Sequence, residues 1–345
     1  MLVLLLLLYH FIASTVVSAK PNGTHYSYHE LWMLQNHFWQ NFLYPTNRGH
    51  IEANDSSIFA ADVQGRVHAT RTFDGRELNN EYIFGLFSQP DHPGIFGPPI
   101  AYNITQFAAT DNTAAATTLI TFNITTFQLV VPAAIDTWLQ YDSSGKITQY
   151  DAVFRWLDYL FVPLMQAAGK MFHLNDSVQI QNRVAALLAD TICQTHQDHC
   201  HGANLQYTSK EDCVVFLTQS VRFGLPYEMG RNTLLCREVH DNMVRFNPPV
   251  HCPHIGPGGG GYCVDDMTYQ QVVLEKYFRH SWVPYGYADH NPWVAHISPR
   301  FLDPVRSDSN QSSQNPVSQR GCNCDKRGGT FIATKNAQGP LGGRE

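Results

Sequence analysis

Charge is scarce in this chain of 345 residues: charged side chains make up 15% of it, and 23 basic against 29 acidic residues leave a net charge of −6. No basic stripe and no interleaving of aromatic with basic residues runs along it, which argues against a nucleic-acid partner. After the first nineteen residues, no stretch is long and apolar enough to cross a bilayer. The nucleophile elbow, the zincin helix, the dinucleotide fingerprint and the Walker loop are all missing, so hydrolase, oxidoreductase and kinase readings have no motif behind them. Pro257-Gly-Gly-Gly-Gly261 reads as a flexible loop rather than a phosphate cradle, because no Gly-Lys-Ser/Thr follows it. No cofactor is implied.

What is present begins with the first nineteen residues. A leucine-rich apolar run breaks at His10, too short for a membrane span, and Val17-Ser-Ala19 puts small residues at the −3 and −1 positions of a signal-peptidase cut. Asn-x-Ser/Thr sequons follow at Asn22, Asn54, Asn103, Asn123, Asn175 and Asn310. Signal peptide and sequons together predict a secreted glycoprotein.

Outside the cell, clustered cysteines are expected to be bridged. Cys193, Cys200, Cys213, Cys236, Cys252 and Cys263 fall in one segment, and six cysteines allow about 15 connectivities, among which the sequence does not choose. Histidines are interleaved with them. His196 and His199 lie three apart on an expected helix, and His251-Cys-Pro-His254 repeats the spacing, so a histidine-only metal site is the rival reading of this cluster. Without a Cys-x-x-Cys pair, and with thiolates exposed to oxidation, a disulfide framework without metal is the expectation.

The organisation changes near residue 175. Leu31, Leu34, Phe38, Trp39 and Phe42 recur at helical spacing before Pro45, and strand-like patterns fill residues 57–155. Asp142-Ser-Ser-Gly145 between two alternating runs predicts a hairpin. Residues 156–172 read as a helix, and three more are expected beyond them: one ending near Cys200, one opened by a Thr208-x-x-Glu211 capping box, and one capped by Asn232. Hydrophobic residues at 43% and aromatics at 12% suffice for a core. The expected division is a signal peptide over 1–19, an α+β domain over 20–175, a helical Cys/His-rich domain over 176–305, and a disordered tail over 306–345.

Asp136-Thr-Trp-Leu-Gln-Tyr141, a tight turn and Gly145-Lys-Ile-Thr-Gln-Tyr-Asp151, preceded by a long aromatic helix and Val67-His-Ala-Thr-Arg-Thr-Phe73, resemble the nuclear-transport-factor-two-like (SnoaL-like) cone fold. The resemblance covers roughly residues 27–172. It implies a curved antiparallel sheet wrapped round helices, with a conical pocket in which an acid and a donor move a proton next to a carbonyl. On that basis Asp136 is the expected base, with His68 or Tyr150 as donor and Trp138, Arg71, Asp151 and Arg155 around it. The alternative for these carboxylates is ion pairing with Arg66, Arg71 and Arg155. The expected function is a cofactor-independent isomerase, cyclase or dehydratase. Two readings compete with it: a secreted binding protein for an apolar ligand or a protein partner, and a histidine-rich metal binder.

Overall fold

Ser27 starts the architecture. Its hydroxyl accepts from the amide of Glu30, and the Glu30 carboxylate accepts from the amide of Ser27 in return, a reciprocal cap that opens helix α1 (Tyr28–Phe42). The computed structural model describes residues 25–53 and 57–282. The expected signal peptide, Asn22, Asn54, Asn310 and the tail with Cys322 and Cys324 therefore lie outside the described residues.

Leu31, Gln35, Phe38, Trp39 and Phe42 form the buried stripe of α1. After the short α2 (Thr46–Glu52) come β1 (Phe59–Val67), β2 (Thr72–Asp74) and α3 (Arg76–Ile83). Four long strands follow: β3 (Pro99–Thr110), β4 (Thr113–Ile124), β5 (Leu129–Tyr141) and β6 (Ile147–Arg155). They form one sheet in the order β2-β1-β6-β5-β4-β3. Its pairs are antiparallel except β1 with β6, which run parallel. The expected hairpin joins β5 to β6, with Asp142 Oδ1 accepting from the amides of Ser144 (2.8 Å) and Lys146 (3.0 Å). The inner face of the sheet carries Ile135, Leu139, Tyr150 and Ala152, which share a core with Leu31, Phe38, Trp39 and Phe42 of α1.

The second half is helical: α4 (Leu157–Phe172), α5 (Ser177–His199), α6 (Lys210–Val215), α7 (Leu234–Val244), α8 (Pro248–Ile255) and α9 (Tyr269–Leu274). Two expected caps move by one residue. Ser209, not Thr208, accepts from the amide of Asp212, and Thr233, not Asn232, accepts from the amide of Cys236. In each case it is this hydroxyl that stands three residues before the free amide. The glycine run is not a flexible loop. It is a short turn against α8, and Gly260, at φ 55°, lies so close to His254 that a Cβ there would meet the ring at 2.4 Å.

All six clustered cysteines are bridged, as Cys193–Cys213, Cys200–Cys252 and Cys236–Cys263, each with Cα atoms 5.7 Å apart. The bridges tie α5 to α6, the end of α5 to α8, and α7 to the chain after the glycine turn. The helices are not isolated from the sheet half: Phe73, Tyr82 and Leu86 share a core with Leu188, Val239 and Met243. The fold class is thus α+β, a curved sheet with packed helices followed by a disulfide-stapled helical part.

Candidate functional site

Asp136 sits on the wrong face of β5 to be a base inside the cone. Val131, Ile135, Thr137 and Leu139 point inward, so Asp136 and Trp138 point out; Asp136 is half-buried and Trp138 exposed. Arg155 Nε donates to Asp136 Oδ2 at 2.5 Å and Thr117 Oγ1 donates to Oδ1 at 2.7 Å. The two-residue alternation holds, but the inference from Trp138 to the buried side does not. Residues 277–282 run along this outer face, where Trp282 meets Trp138 edge-on at 6.2 Å and the amide of Gln149 donates to the carbonyl of His280 at 2.9 Å. The tryptophan thus finds an apolar neighbour without entering the core.

The other expected pocket residues disperse. Asp151 is on the same outer face, held by Arg66 through two hydrogen bonds. Arg71 binds the carbonyls of Gly230 (2.9 Å) and Val264 (2.7 Å) and the Asp266 carboxylate, joining the sheet half to the helical half. His68 is exposed and accepts from the amide of Phe154 at 3.1 Å. Tyr150 alone of the expected acid–base set faces inward. Its ring crosses Gly65 on β1, where a Cβ would stand 2.3 Å from the phenol oxygen, and burial pushes its pKa well up.

The inner face does enclose a cavity, of about 130 Å³. Phe38, Trp39, Phe73, Tyr82, Tyr150 and Phe154 contribute its aromatic wall, and α4 and α7 close it through Leu160 and Val239. Among the described residues the indole N–H of Trp39 and the phenol of Tyr150 have no hydrogen-bond partner. The cavity itself is lined almost wholly by apolar side chains. Among the described residues no carboxylate lines it.

Tyr82 links this cavity to a second feature. Its hydroxyl lies 3.3 Å from the nearer nitrogen of His240, and its ring stands edge-on to His240 and His251. His240 on α7 and His251 and His254 on α8 converge: Nδ1 of His240 is 3.2 Å from Nδ1 of His251 and 3.0 Å from Nδ1 of His254. All three are buried. Burial and the neighbouring rings hold His240 well below the usual imidazole range, and burial with His251 pushes His254 down to about 3. The grouping of His251 and His254 with His196 and His199, on which the rival metal reading rested, is not formed. His196 Nε2 accepts from the amides of Gln206 and Tyr207, pinning a loop, and His199 is exposed. The third member is His240. Its sequence signal was its place on one helical face with Cys236, eleven residues before His251.

Fold and site define an α+β protein with an apolar cavity and a buried histidine cluster behind one wall. Residues 36–152 match the BfoA N-terminal domain, and residues 153–266 match the BfoA family C-terminal domain. The chain belongs to the BfoA family. It is 53% identical over 270 residues to the Aurasperone B biosynthesis cluster protein A of Aspergillus niger, covering 77% of this chain and 88% of that one. To the Bifonsecin B biosynthesis cluster protein A of Aspergillus brasiliensis it is 52% identical over 265 residues, covering 76% of this chain and 89% of that one. Among solved structures it is similar to an NTF-2 like protein of unknown function from Burkholderia xenovorans (16% identity, TM-score 0.26, 36% of this chain and 83% of that one). A protein with a ketosteroid isomerase-like fold from Catenulispora acidiphila, in complex with trimethylamine, is another (14% identity, TM-score 0.28, 34% and 82%). At those scores the structural likenesses carry no functional conclusion.

Proposed function

We propose that this protein is a secreted binding protein that takes up a small, largely apolar molecule in the cone, in the service of a biosynthetic cluster such as those its relatives are named for. The cavity carries the reading: aromatic and aliphatic walls, with no carboxylate among the described residues that line it, suit recognition of a ring-bearing apolar molecule. An engineered apolar cavity of about 150 Å³ takes up benzene, so a comparable space holds about one ring without rearrangement. The outward placement and arginine clamp of Asp136 remove the residue on which an isomerase reading would rest.

The test uses the secreted protein and a solvatochromic dye with a single aromatic ring, 4-(dimethylamino)benzonitrile. Uptake should saturate at one dye per chain, and Ala152→Phe, which fills the cavity from β6, should weaken it at least about tenfold with the near-UV circular dichroism of a folded chain retained. The absence of saturable uptake by the wild type overturns the reading.

A further inference from the structure

Three imidazoles that present the same nitrogen to one another pose a question of lone pairs. His251 Nε2 lies 2.8 Å from Oε2 of Glu81, and a carboxylate only accepts, so that nitrogen carries the proton and Nδ1 of a neutral His251 is bare. Nδ1 of His240 is then at hydrogen-bond distance from two other Nδ1 atoms at once. A single proton on His240 could point at only one of them. A cation would face all three lone pairs together.

Distances fit that arrangement. Zinc–imidazole bonds of about 2.0–2.1 Å at tetrahedral angles separate the ligand atoms by about 3.3 Å, and the two measured edges are 3.2 and 3.0 Å. One ring nitrogen from each of the three histidines lies within 4.8 Å of one from each of the others. Outside the ring of ligands, Glu81 is buried, and its other oxygen accepts from the Asn247 amide at 3.0 Å. A carboxylate that fixes the distal nitrogen of a ligating histidine is the usual outer partner of such centres. The sulfurs of Cys236 and Cys263 also lie near His240, but they are bonded to each other and offer no thiolate.

We propose that Nδ1 of His240, His251 and His254 hold one divalent transition-metal ion of the zinc or copper type, with Glu81 as the outer carboxylate. Three protein ligands leave a coordination position for water or another small ligand. The site is independent of the cavity reading: metal can be present whether or not the cone binds a molecule.

The secreted protein, purified from medium containing zinc and copper, should carry about one metal ion per chain by plasma mass spectrometry. The metal-free protein should take up cobalt(II) with visible d–d absorption of a nitrogen-ligated, four-coordinate ion. His254→Ala should abolish binding. Glu81→Gln, which keeps all three ligands, should weaken it about 10–100-fold, and it serves as the second variant should His254→Ala not fold. Failure of the folded, metal-free wild type to bind zinc, copper or cobalt at micromolar concentration overturns the site. So does full binding by a folded His254→Ala chain, or binding only after disulfide reduction, which would mark a thiolate site instead.

Discussion

Glu238, two residues before His240 on α7, is wholly buried, and burial followed by the nearby Asp241 carboxylate pushes its pKa up to about 8. Among the described residues its carboxyl group accepts one hydrogen bond, from the amide of Ile95 at 3.0 Å. Beside it, His92 donates to Asp241 at 2.6 Å. Burial works against the charge on His92, but the Asp241 hydrogen bond and charge outweigh it and raise the pKa. Both shifts have the same sign. A group whose pKa is raised in the fold stabilises most below its unfolded value and loses that contribution as pH rises through the folded value. These two groups therefore lower the denaturant midpoint between about pH 5 and pH 9, while His240 and His254, with depressed pKa values, raise it until their unfolded forms have lost the proton; Glu238→Gln should remove the part of the downward trend that Glu238 supplies. Comparing variant with wild type cancels the other titrating groups; equal slopes would contradict this account of Glu238. At Asp136 the effect should be small. Its pair with Arg155 is partly exposed, and such pairs contribute up to about 1 kcal/mol. Asp136→Asn should cost no more than about 1 kcal/mol in unfolding and leave dye uptake unchanged. A tenfold loss of uptake would return the carboxylate to the ligand site.

The bridges act between elements. Cys200–Cys252 closes a span of 52 residues between the end of α5 and α8, and replacing the pair by serine should cost about 2–5 kcal/mol, read from chemical unfolding. Thiol labelling of the denatured, unreduced protein should find none of the six cysteines free. Legibility in the sequence also varied by element. The stripe of α1, the β5–β6 hairpin and the bridged state of the cysteines were readable, because each follows from local periodicity, turn chemistry or compartment. The element α7 was readable only in part. All of its residues are buried, including Arg237, Glu238, His240 and Asp241, so no polar face exists to mark which histidine looks inward. For β5, alternation sorted the side chains correctly into two sets. The choice of inner set depended on a segment 140 residues later that covers the outer face, and no local pattern holds that information. His240 joins His251 and His254 only because α7 and α8 pack together.

At the scale of the molecule, cavity and histidine cluster share one helix and one tyrosine: Val239 lines the first, His240 belongs to the second, and Tyr82 touches both. The proposed secretion would account for the bridges, and it predicts glycans. Asn103 and Asn175 are exposed, so enzymatic deglycosylation of the secreted chain should lower its mass, and by less after Asn103→Gln or Asn175→Gln. An unchanged mass in the wild type would count against the secretory route. The central claim is that the inner face of the sheet, not the outer face bearing Asp136, holds a small molecule. Native mass spectrometry of chains secreted by a host that expresses the biosynthetic cluster tests it most directly. Wild type and Asp136→Asn should both carry a small molecule released on denaturation, and folded Ala152→Phe should not. A molecule retained by Ala152→Phe and lost from Asp136→Asn would contradict the account.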